Sequence, residues 1–168
     1  MPTDNVTPFR RPPKPVRPQQ QGGWGFKTHR GKAMLVQALT FIAFAINLLA
    51  AAAGMLLLPA ASFLVQSQVV FWIVGMGISI AAALVAIANR DQGMPWATTH
   101  HEHALRTLII GYAIWTLGGL LAYIHGSLFI ATMFIQLAVA IWAGLRALIG
   151  LVLAFSRKAI PNPRGWFV

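Results

Sequence analysis

Apolar residues in this chain gather in four long runs, at 33–58, 69–88, 105–124 and 128–155, and polar residues fall mostly between them. Each run reaches about the 20 residues that a helix needs to cross a bilayer. None alternates strictly, so the pattern predicts helices rather than barrel strands. The stops are also legible. Pro59 closes the first run, and Asn89-Arg90-Asp91-Gln92-Gly93 the second, with Pro95 just beyond. The turn after the third centres on Gly126. The fourth ends before Arg157 and Lys158, and Pro161 and Pro163 bar its continuation, because proline lacks the amide donor and disfavours helix in the residue before it. The expected fold is an all-α membrane protein: four transmembrane helices as two antiparallel hairpins over 33–157, then a short tail at 158–168. The first and fourth runs, about 26–28 residues, would extend roughly 40 Å and must tilt or enter the interface. The end of the fourth, after Arg146, is expected to lie partly along the surface. The first run is too long, and too far behind Arg10-Arg11, for a cleaved signal.

Residues 1–32 differ in kind. Pro2, Pro8, Pro12, Pro13, Pro15 and Pro18 precede Gln19, Gln20, Gln21, Gly22 and Gly23. Such a segment buries too little apolar surface to offset its ordering entropy, so a disordered, basic tail with polyproline II character is expected.

Composition sharpens the class. Hydrophobic residues make up 57% and charged residues 10%, against about 25% charged in a soluble domain, which excludes an ordinary water-soluble core. Cysteine is absent, excluding disulfides, thiolate metal sites and cysteine-ligated clusters. Lys and Arg number 13 against three acids, for a net charge of +10.

The placement of those cations predicts an orientation. Arg10, Arg11, Lys14, Arg17, Lys27, Arg30 and Lys32 precede the first helix, Arg90 and Arg106 flank the middle loop, and Arg157, Lys158 and Arg164 follow the fourth helix. The stretches at 59–68 and 125–127 carry no Lys, Arg, Asp or Glu. Positive segments stay on the cytoplasmic side. A bacterial inner-membrane, multi-pass protein with both termini and the 89–104 loop cytoplasmic is therefore expected. Trp72 and Tyr123 near one boundary, and Trp96 and Trp166 near the other, fit interfacial aromatic belts.

Few residues carry candidate chemistry. Arg106 and Arg146 lie equally far from the turn at Gly126, about 30 Å along each helix, and so share one depth. With Glu102 one turn before Arg106, they are candidates for an anionic phospholipid or other anionic ligand; the plainer reading is two arginines anchoring helix ends. His100, His101 and His103 are metal candidates, since imidazoles bind zinc or copper; the plainer reading is a polar helix entrance at headgroup level. Asn47 and Gln136 are the intramembrane polar pair. Their depths differ by only about 5 Å, so a mutual hydrogen bond is expected, with Gln37 nearer the inner boundary. Small pairs at helix-packing spacing are Ala50 and Gly54, Gly77 and Ala81, Ala140 and Gly144, and Ala143 and Ala147. No catalytic constellation, haem pair or other cofactor site is seen. The basic tail suits anionic lipid better than nucleic acid, because nothing here reads bases.

One stretch has a familiar look. Met94-Pro95-Trp96, the histidine cluster, Arg106-Thr107, Trp115, Trp142, Arg146 followed by Gly150, and Ile160-Pro161-Asn162-Pro163 resemble a family of small bacterial four-helix membrane proteins. That family is grouped with the twenty-kilodalton component of the chloroplast inner-envelope import translocon. The resemblance covers roughly the last 75 residues; the first two helices match in character only. It implies a four-helix membrane fold, hints at a part in protein transport or assembly, and suggests that His101 or His103, Arg106 and Arg146 matter together. The functional expectation is a non-enzymatic scaffold, assembly or translocon-like component with protein partners or a homo-oligomer. The alternatives are a small transporter or channel, and a metal-binding membrane protein.

Overall fold

A computed structural model describes residues 28–56, 61–91 and 94–166, with side chains described at 28–52, 70–91 and 94–166. The proline-rich tail up to residue 27 and the turn at Pro59 lie outside the described residues.

The chain forms α1 (His29–Leu56), α2 (Ala61–Asn89), α3 (Pro95–Ile124), a single 3₁₀ turn (Gly126–Leu128) and α4 (Phe129–Phe155). No strand occurs among the described residues. Each of the four long helices contains a stretch long and apolar enough to cross a membrane, the pattern of a multi-pass protein.

Local chemistry sets the helix ends. The Thr28 hydroxyl accepts from the Gly31 amide at 3.0 Å, an N-cap three residues ahead. Pro95 opens α3 in its first turn, where a missing amide costs nothing. Helix α3 therefore begins ten residues before the apolar run at 105, and takes in the histidine cluster. Likewise α2 starts at Ala61, so most of the stretch at 59–68 expected as a loop is helical. Helix α4 ends in a Schellman turn: the Lys158 amide donates to Leu153 O at 2.9 Å and the Arg157 amide to Ala154 O at 3.1 Å. Arg157 takes the left-handed position at φ 55°, where glycine is usual.

Helix α1 packs against all three other helices, and α3 touches α1 across the bundle, while α2 and α4 make no contact among the described residues. Three glycines set how closely α1 approaches. A Cβ at Gly75 on α2 would meet Asn47 Oδ1 at 2.7 Å, one at Gly111 on α3 would meet Phe44 Cζ at 2.5 Å, and one at Gly150 on α4 would meet the Gln37 amide carbon at 2.6 Å. The expected small pairs behave differently. Ala140, Ala143 and Ala147 are buried, but Ala81 is exposed, and a Cβ at Gly77 or Gly144 would meet nothing within 4 Å. Gly54 lies outside the described side chains.

The bundle is polar within and apolar without. Gln37, Thr40, Asn47, Ser79, the three histidines, Thr107, Thr132 and Arg146 are buried, whereas Leu49, Leu84, Ile109, Ile130 and Val152 are more than half exposed. A water-soluble fold would pay heavily for that inversion, and a lipid-solvated one does not. The apolar centre is small: Phe44 and Val36 of α1 pack with Ala82, Ala104, Leu108 and Ala143, and Ala51, Trp115 and Ala140 form a second cluster. The far end of α4 continues the same helix and packs into the bundle, with Ala147, Gly150 and Ala154 all buried.

Candidate functional site

The polar chemistry concentrates where α1 and α3 begin and α4 ends. Beyond α4 the chain turns back and lies across this end as a strap, residues 156–166. The Ile160 amide donates to the Thr99 hydroxyl at 3.0 Å, and His100 Nε2 lies 2.8 Å from Lys158 O. The Trp142 indole donates to Trp166 O at 3.0 Å. Ile160 itself is buried. On the opposite flank Arg30 of α1 donates to Phe155 O at 2.7 Å, a cation on the carbonyl end of α4.

Arg146 of α4 reaches Thr107, one residue past Arg106 on α3. The two arginines nevertheless face apart. Arg146 is only 4% exposed and turns inward: Nε donates to the Thr107 hydroxyl at 2.9 Å, Nη1 to Gly165 O and Nη2 to Pro163 O. Its guanidinium carbon lies 5.7 Å from the Trp142 ring centroid. It is not a snorkelling anchor. Arg106 turns to Glu102, whose Oε1 accepts from it at 3.3 Å and from Arg164 of the strap at 3.1 Å. A shared Arg106–Arg146 pocket is therefore not formed.

What forms instead is an open cleft of about 380 Å³ lined by Arg90, Arg106, Arg164, Glu102, Leu105 and Ile109, with Asp91 and Thr98. Three guanidinium groups face two carboxylates there. Arg90 pairs with Asp91 at 3.2 Å. All these ion pairs are substantially exposed, so each contributes little to stability; the arginines stay available to an incoming anion.

The histidines are not at an exposed boundary: all three are buried. They do not converge either. At about 100° per residue on a helix, His100 and His103 share a face and His101 leaves it. His100 turns to the strap, edge-on to Trp96 with centroids 5.9 Å apart. His103 Nδ1 lies 3.3 Å from Gln37 Nε2, whose amide also donates to His100 O at 3.0 Å. No group of three or more His or carboxylate side chains placed to hold a metal ion occurs among the described residues. His100 Nδ1, His101 Nδ1, His103 Nε2 and Gln37 Oε1 are buried without a protein partner.

Deeper in the bundle the expected Asn47–Gln136 bond is replaced. Asn47 Nδ2 donates to the Tyr112 hydroxyl at 2.9 Å, and the Ser79 hydroxyl lies 2.6 Å from that of Tyr112 while donating to Gly75 O at 2.8 Å. Gln136 instead donates to Trp115 O at 3.5 Å, near the Thr132 hydroxyl that donates to Gly118 O at 3.1 Å. Both amides bond to α3, Asn47 at Tyr112 and Gln136 at Trp115, rather than to each other. Tyr112 and Ser79 carry no signal in the hydropathy pattern; the strap is hinted at by a lone apolar Ile160 ahead of two prolines. No family model, no curated protein and no solved structure matches this chain.

Proposed function

We propose that this is a non-enzymatic integral membrane protein of the bacterial inner membrane, a scaffold, assembly or translocon-like component that holds anionic phospholipid at its cytoplasmic end. In this reading the four helices cross the bilayer as two antiparallel hairpins, with both termini in the cytoplasm. The observation that carries it is the arginine cleft. Its cationic rim sits at the bundle end, and its apolar wall, Leu105 and Ile109, runs onto the lipid-facing surface, where Ile109 is 66% exposed. A headgroup among the arginines with its acyl chains along that wall satisfies both halves of the surface. Glu102 tunes the site by sharing its carboxylate between two arginines.

The transporter reading gains less support. The buried polar residues of α1, Gln37, Thr40 and Asn47, lie on one face, but the Phe44 ring packed against Gly111 separates Asn47 from the other two.

Native mass spectrometry of protein released from phosphatidylglycerol-containing nanodiscs tests the proposal. Retained phosphatidylglycerol is expected on the wild type and is expected to fall at least fivefold in Arg90→Gln/Arg106→Gln. Equal retention by the two would refute lipid binding at the cleft. Reporter fusions that put either terminus outside the cell would refute the orientation.

A further inference from the structure

Among the described residues Arg146 is a buried cation without an anion. Among the described residues Glu102 is engaged by Arg106 and Arg164, and Asp91 by Arg90; Arg146 makes no ion pair. Its partners are one hydroxyl and two main-chain carbonyls. Neutral dipoles compensate a buried charge less completely than a carboxylate or phosphate would. The geometry of those partners is telling. Two guanidinium nitrogens each take one carbonyl oxygen, from Pro163 and Gly165, in the side-by-side fashion with which an arginine fork grips the two oxygens of an oxyanion.

Both carbonyls belong to the strap, and the strap is held in a way that permits release. Its bonds to the bundle run largely through its own main chain: Lys158 O, the Ile160 amide, Pro163 O, Gly165 O and Trp166 O. Ile160 is the one large apolar side chain that it buries. With the strap lifted, Arg146 would face the aqueous side together with the Trp142 indole N–H, a third donor beside the two Nη groups, while the Thr107 hydroxyl, which donates to His103 O at 2.8 Å, holds Nε in place.

We propose that Arg146 is the floor of an oxyanion site, for a carboxylate or a phosphate group, which the C-terminal strap closes by placing the carbonyl oxygens of Pro163 and Gly165 where the ligand's oxygens would sit. Ligand and strap compete for the same guanidinium. Arg146 does not line the arginine cleft, but Arg164 of the strap does and pairs there with Glu102, so the cleft variant Arg106→Gln serves to tell the two sites apart.

The test uses the full chain. Ile160→Ser weakens the strap without adding charge, and Arg146→Gln in that background removes the fork. Two probes separate the sources of the oxyanion: inorganic phosphate with protein in zwitterionic micelles, and phosphatidylglycerol in nanodiscs. Ile160→Ser is expected to bind one probe, or both, at least tenfold more tightly than wild type, and the added Arg146→Gln to abolish the gain. A gain with phosphate alone identifies a soluble ligand, and with lipid alone a headgroup. Arg106→Gln should leave the gain intact. No gain in Ile160→Ser, or a gain that survives Arg146→Gln, overturns the proposal. Should Arg146→Gln fail to fold, hydrogen exchange on the wild type decides: saturating probe is expected to speed exchange of the Ile160 amide at least fivefold, and unchanged or slower exchange overturns the competition.

Discussion

Replacing Gly111 by alanine tests the close approach of α1 and α3 most directly. The new Cβ would sit 2.5 Å from Phe44 Cζ and 2.8 Å from Cε1, where carbon atoms in contact settle at about 3.5–4.0 Å. Relief needs a shift of roughly 1 Å. The Phe44 ring has little freedom to make it, being fully buried and set against Tyr112 with centroids 5.3 Å apart. Overpacking of this kind costs about 1–3 kcal/mol, while alanine recovers up to about 1 kcal/mol of helix propensity over glycine. Because the ring can yield little, the cost falls in the upper part of that range, about 2–3 kcal/mol, and the expected net effect is a destabilisation of about 1–2 kcal/mol. Gly77→Ala is the matched control: nothing lies within 4 Å of its Cβ, so it should stabilise by about 0.4–1 kcal/mol. Equilibrium unfolding in mixed dodecyl maltoside and dodecyl sulfate micelles measures both. Phe44→Leu added to Gly111→Ala should recover part of the loss. If Gly111→Ala matches or exceeds the wild type in stability, the packing argument is wrong.

Further expectations can be measured in the same micelles. Tyr112→Phe should cost about 0.6–1.7 kcal/mol, and a double-mutant cycle should couple Asn47 to Tyr112 but not to Gln136. Arg157→Gly should stabilise by about 1 kcal/mol, because it relieves a left-handed non-glycine residue; an unchanged midpoint would count against the Schellman turn. Thr99→Val removes the acceptor for the Ile160 amide, a bond worth about 1 kcal/mol, so exchange at that amide should rise about fivefold as read by mass spectrometry.

The four helices were legible because length and hydropathy alone decide whether a segment can span. Their ends were less so. Pro95 marks a helix start as readily as a break, and the polar stretch from Trp96 to His103 is helical and packed against α1 and the strap, which hydropathy does not signal. Burial was the hardest property to read. In a lipid-solvated bundle hydrophobicity does not point inward, so apolar periodicity cannot single out Gly75, Gly111 and Gly150 from Gly77 and Gly144. Position along each run can be counted from the sequence, and Arg146 does bond to Thr107, one residue past Arg106. Azimuth cannot be counted this way, so the sequence alone pairs Asn47 with Gln136 where the fold pairs it with Tyr112, and turns Arg146 to a ligand where the fold turns it to the chain's own end.

The polar stripe on α1 has a consequence for biosynthesis. Gln37 finds its amide partners on α3, 66 residues later at His103, and Asn47 waits 65 residues for Tyr112. At about 5–20 residues per second of translation, α1 spends roughly 3–13 s in the membrane with unmet amides. During that interval the newborn segment requires a temporary companion, whether translocation machinery or water, and mutations that prolong the delay should lower yield without altering the finished protein.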